Sequence, residues 1–124
     1  MAMFTKSFGI AAALLLAGAV SAQAGQCGYD YCWGAVGIGP GGAYGYSYHH
    51  SSEARAINAA QQGCGGNCTN IKTFYNTCGA MAQGNNGAWG FGWANSEGQA
   101  KANALGYCQQ NGSGCQGTVW ACSP

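Results

Sequence analysis

Gly42-Ala43-Tyr44-Gly45-Tyr46-Ser47-Tyr48 and Gly87-Ala88-Trp89-Gly90-Phe91-Gly92-Trp93 decide the fold. Each stretch reads Gly-Ala, then an aromatic at every second position with Gly or Ser between. A period of two is the strand period, so each stretch places three aromatics on one face of a sheet and almost nothing on the other. The second stretch follows the first at a shift of 45 positions, which points to one unit used twice.

Working outward, Gly34-Ala35 and Gly79-Ala80 precede the two stretches, with turn signals Gly39-Pro40-Gly41-Gly42 and Gly84-Asn85-Asn86-Gly87 between. Each copy therefore opens as a hairpin, Trp33 to Ile38 with Ala43 to Tyr48 and Gly79 to Gln83 with Ala88 to Trp93. Ser51-Ser52-Glu53 and Asn95-Ser96-Glu97 then signal helix starts. A serine at the cap accepts an orphan amide proton, and glutamate favours the positive end of the helix dipole. Each helix is predicted to run to the next cysteine, Cys64 or Cys108, with Ala56 and Ala60, or Ala100 and Ala104, on one face. Gly63 and Gly106 are candidate left-handed caps near the two ends. Final strands are expected at Asn70 to Thr77 and Gln116 to Ala121. The prediction is an α+β domain of two tandem strand–strand–helix–strand repeats, about 33–77 and 78–122. They form a largely antiparallel sheet with two helices on one face.

The N-terminus reads as an export signal over residues 1–24. Lys6 is the positive region, Phe8 to Val20 the uncharged apolar run, and Ala22-Gln23-Ala24 a small-x-small cleavage site. Cleavage is expected after Ala24, with Ala22 as the alternative site. The run is short for a membrane span, which takes about 20 residues. The chain from 25 to 124 is one domain's length, not membrane-spanning after cleavage, and secreted or periplasmic. Its charges are Arg55, Lys72 and Lys101 against Asp30, Glu53 and Glu97. A neutral chain with scattered cations has no footprint for nucleic acid or an anionic membrane surface.

The eight cysteines all lie in this part: Cys27, Cys32, Cys64, Cys68, Cys78, Cys108, Cys115 and Cys122. An even number in a small exported chain reads as a disulfide framework. Glycine costs backbone entropy on folding, and cross-links worth about 2–4 kcal/mol each compensate. Four bridges can be drawn in about 105 ways. The repeat makes Cys64 with Cys68 and Cys108 with Cys115 natural, each stapling a helix end to its next strand. Cys78 with Cys122 would join equivalent positions across a pseudo-twofold axis, which leaves Cys27 with Cys32.

The arrangement resembles the bacterial secreted family called domain of unknown function 4189. The residues that carry the resemblance are Trp33-Gly34-Ala35, the first aromatic stretch, the Ala-rich helix ending at Cys64, Asn76-Thr77-Cys78-Gly79-Ala80, the second aromatic stretch, and Val119-Trp120-Ala121-Cys122-Ser123. It covers roughly Tyr31 to Ser123. The resemblance implies a small exported α+β domain, with no established activity and no catalytic residues to transfer. The pair Cys27 and Cys32 departs from the family pattern.

The aromatic strands can be the core, covered by the two Ala-rich helices, or a platform for sugar rings or an apolar partner. The core reading is preferred, because the chain has few other bulky residues to build a core from. The Gly and Ser face is then bare or approached by another backbone. His49 and His50 are adjacent, so on a strand they point to opposite faces and grip a metal ion poorly. The spacing Cys64-Gly-Gly-Asn-Cys68 could hold zinc, but export favours a bridge. Glu53 and Glu97 each begin a helix, where capping already accounts for them, and no Ser–His–Asp set or phosphate loop is present. No cofactor, metal site or catalytic residue is assigned, and the chain is not expected to be an enzyme. The function expected is a binding or interaction module for a protein or envelope component. The alternative is a cell-envelope hydrolase or an inhibitor of an envelope enzyme. Candidate binding residues are Tyr29, Tyr31, His49, His50 and Trp120.

Overall fold

The computed structural model describes residues 24–124, so the export signal expected over residues 1–24 lies, except for Ala24, outside the described residues. The elements are β1 (Trp33–Ile38), β2 (Tyr44–His50), α1 (Glu53–Gly63), β3 (Asn70–Tyr75), β4 (Cys78–Gln83), β5 (Trp89–Ala94), α2 (Glu97–Asn111) and β6 (Gln116–Cys122). Short 3-10 turns at Pro40–Gly42 and Asn85–Gly87 close the two hairpins. The chain is thus an α+β fold of two strand–strand–helix–strand units.

The strands form two antiparallel three-stranded sheets, ordered β2-β1-β3 and β5-β4-β6, rather than one. Nor do the helices share a face. In β1, Ala35 meets Ala56 and Ala60 of α1. Its neighbours Val36 and Ile38 join Phe74, Met81, Val119 and Ala121 in a core between the sheets. In β4, Cys78, Ala80 and Ala82 meet Ala100, Ala104 and Cys108 of α2, while Met81 points to the other sheet. Each sheet therefore carries its own helix outside and faces the other sheet inside.

The physical cause lies in the small residues of β2 and β5. A side chain at Gly45 would strike the Ala60 carbonyl of α1; one at Gly90 would strike the Cys108 amide and Ala104 carbonyl of α2. The helix backbones rest directly on the strands, and Ser47 completes the contact by donating its hydroxyl to the Ala56 carbonyl at 2.7 Å. Close-packed layers leave no room there for a ring. The aromatic faces must turn the other way, so the expected helix-covered aromatic core is replaced by a glycine face under each helix.

Both helices start as the serines dictate: Ser52 Oγ accepts the Arg55 amide and Ser96 Oγ the Gln99 amide, each at 3.2 Å. The first ends where expected, at Gly63 with Cys64 as its cap, but the left-handed residues are Gly65 and Gly66 instead of Gly63. The second passes Cys108 and Gly106 and ends at Asn111. Gly106 is thereby an interior helix residue instead of a cap.

Disulfides join Cys27–Cys32, Cys64–Cys68, Cys108–Cys115 and Cys78–Cys122. The last does not cross a pseudo-twofold axis: Cys78 and Cys122 are register partners on β4 and β6 of one sheet. In the first sheet the corresponding place, Trp33 opposite Tyr75, is held by two rings 5.0 Å apart. Four disulfides fit an oxidising compartment. No helix among the described residues is long and apolar enough to cross a membrane.

Candidate functional site

Turning the aromatic faces inward does not bury them all. Trp89 and Phe91 pack against the inter-sheet core. Tyr44, Tyr46 and Tyr48 instead reach past it, because β2 is the edge of its sheet and lies beside β6. Each of the three keeps 51% of its surface exposed. With Thr118, Trp120 and Cys122 of β6 they line a groove of about 470 Å³. A tyrosine ladder offers flat apolar rings with hydroxyls at their tips, which suits an interface that is apolar on one side and wet on the other.

Trp120 forms one wall of this groove. Lys101 Nζ lies 4.8 Å from its ring centre and also pairs with Glu97 one helical turn back, at 2.5 Å. Both side chains of that ion pair are well exposed, so it contributes little to stability. It does hold a cation over the outer ring face. The other residues singled out in the sequence lie elsewhere. Tyr31 stands edge-on to Tyr75, with ring centres 4.9 Å apart. Tyr29 is an exposed residue of the N-terminal loop. That loop is tied down by Asn76, whose side chain accepts the Cys32 amide and donates to the Asp30 carbonyl.

The two histidines are not on an ordinary strand. Between Trp33 and Ala35 of β1 the pairing with β2 slips, and His49 takes a φ of 61°. Its amide donates to the hydroxyl of the fully buried Ser123 at 2.8 Å, which fixes this bulge. His50 sits half-buried opposite Trp33. Among the described residues no three His, Cys, Asp or Glu side chains gather as a metal site. The acids are engaged separately: Glu53 accepts the Thr73 hydroxyl at 2.6 Å, and Glu97 pairs with Lys101.

In the sequence Tyr44, Tyr46 and Tyr48 can be a platform, but the preferred core reading keeps them off the candidate binding residues. A signal for them existed in Gly45 and Ser47, since a strand face of glycine and serine ahead of an Ala-rich helix is a seat for that helix. The aromatics then have to face away from it.

The chain is a small, disulfide-linked α+β domain with an open aromatic groove and dispersed titratable groups. The chain is a member of the family called domain of unknown function 4189, whose sequence pattern matches residues 33–122. The match starts at Trp33, so the Cys27–Cys32 loop lies outside it. Among solved structures the chain is similar to the NMR structure of Rv1813c from Mycobacterium tuberculosis. The identity is 28% and the TM-score 0.57, over 74% of this chain and 75% of that one. No curated protein matches the chain.

Proposed function

We propose that this chain is an exported, secreted or periplasmic binding module that takes a protein or cell-envelope component on its tyrosine groove. The observation that carries the reading is the ladder Tyr44, Tyr46 and Tyr48, half-exposed and aligned beside Trp120. Exposed aromatics grouped in a groove are the usual anchors of an interface, and aromatic residues dominate binding hot spots. The formal charge of the whole chain is +1, which supports recognition by rings and hydroxyls over recognition by charge. The disulfides support an oxidising location.

The test is affinity capture from envelope extracts with the native protein and with Tyr46→Ser. The exposed position of Tyr46 keeps the variant folded, since surface substitutions shift stability by about 0.5 kcal/mol or less. Loss of one aromatic anchor that the partner covers is expected to weaken retention of the captured partner about tenfold, the effect of about 1.4 kcal/mol. Equal retention by the folded variant, or chemical turnover of the captured component, contradicts the reading.

A further inference from the structure

We propose that the outer edge of β2 accepts an extended peptide segment of a partner protein as an added strand. The inference deepens the binding reading of the tyrosine groove and rests on it for the side-chain half of the contact. The backbone half stands on separate observations.

The first is which way the backbone groups point. The Gly39 amide donates to the Ala43 carbonyl at 2.9 Å, which starts the β1–β2 ladder. Alternation then turns Gly45 and Ser47 toward β1, and the amides and carbonyls of Tyr44 and Tyr46 outward. Among the described residues β2 pairs only with β1, so these outward groups form a free edge there, the kind of edge that templates a further strand.

The second is a comparison inside the molecule. β5 has the same place in its own sheet, and there the edge is closed. Asn103 and Asn111 of α2 donate their side-chain amides to the outward carbonyls of Trp93 and Trp89, at 3.4 and 3.3 Å. On α1 the position of Asn103 is held by Ala59, and the helix ends at Gly63, before the counterpart of Asn111 is reached. The missing turn leaves a trough of about 640 Å³ beside β2, floored by Gly45, Gly63 and Cys64.

The third is what flanks this edge. The trough lies on its helix side and the tyrosine groove on its ring side. Side chains of an added strand alternate between the two. The groove takes large apolar or aromatic residues, which form cross-strand pairs with Tyr44 and Tyr46. The trough, bounded by glycine and a helix end, takes the residues between. β2 carries no Asp, Glu, Lys or Arg, so the segment that fits is uncharged, with an aromatic or apolar residue at every second position. A second copy of this chain fits less well, because two α1 helices, each seated on β2, would meet above the joined strands.

The probe is an acetylated, amidated heptapeptide, Gly-Ala-Tyr-Gly-Tyr-Ser-Tyr, added to the isotopically labelled protein. Amide hydrogen exchange is read by NMR. Exchange at Tyr44 and Tyr46 is expected to slow at least about tenfold with peptide, while Phe91 on the closed edge is unchanged. The same peptide N-methylated at alternate residues gives no protection. Ala59→Asn, which copies Asn103 onto the open side, is expected to weaken the protection at least about fivefold in a folded protein. Ring shifts without amide protection would leave the groove as a binding face and overturn the added strand. So would equal protection at Phe91, or full protection in Ala59→Asn. Protection that rises with protein concentration and needs no peptide assigns the edge to a second copy and overturns it as well.

Discussion

Gly90→Ala is expected to destabilise the fold by about 3 kcal/mol, the upper range for overpacking a close contact. In a domain of this size that lowers Tm by more than about 10 °C. The position has no room to give. The added methyl meets backbone on every side: the Cys108 amide, the Ala104 carbonyl and the Tyr107 carbonyl carbon. A flexible side chain could move aside, but a helix backbone can retreat only by lifting α2 from β5. The contrast is Gly106→Ala in α2, where nothing among the described residues lies within 4 Å of the new methyl. That change is expected to raise stability by about 0.5–1 kcal/mol, because glycine in a helix interior carries an entropic cost. Thermal unfolding of the two variants separates the cases. A Gly90→Ala protein as stable as the native one would mean that α2 does not rest on β5.

Removing the Cys78–Cys122 bond by Cys78→Ala with Cys122→Ala is expected to cost about 2–5 kcal/mol. The bond spans 44 positions, against 5 for Cys27–Cys32, and longer closed loops gain more from a cross-link. It also fixes the end of β6 next to Ser123, whose amide donates to the Thr77 carbonyl and whose hydroxyl holds the His49 amide. Loss of the bond thus loosens both sheets at one corner. Removing Cys27 and Cys32 instead is expected to cost less, and the difference is read by denaturant unfolding. Equal losses from the two pairs would contradict the assignment of Cys78–Cys122 as the main tie.

The parts of this architecture visible in the sequence are those set by local rules. The hairpins follow from Gly39-Pro40-Gly41-Gly42 and Gly84-Asn85-Asn86-Gly87, and the helix starts from Ser52 and Ser96, all of which act on neighbours in the chain. The second helix overruns its predicted end for a reason that is also near at hand. Cys108 and Cys115 are seven positions apart where Cys64 and Cys68 are four, so the helix adds Gln109 to Asn111 before the chain turns. What could not be read is the side on which each helix lies. Alternation at Tyr44 to Tyr48 says that two faces differ, not which one meets the helix. Counting bulky residues favours putting the rings beneath the helices, whereas the spacing of backbone over Gly45 and Gly90 requires the opposite. The open groove follows from that choice alone, together with the offset of β2 from β6, which no residue of either strand announces.

The helices sit on the glycine faces and leave the tyrosine ladder open. Through-space NMR contacts between α1 and β2 are the decisive measurement of this arrangement. Contacts are expected from the Gly45 α-protons to Ala60 and Gly63, whose backbones adjoin it, and none from the Tyr46 ring to the methyl groups of Ala56 and Ala60. Contacts between the Tyr46 ring and those two methyls, with Gly45 showing none to the helix, would contradict it.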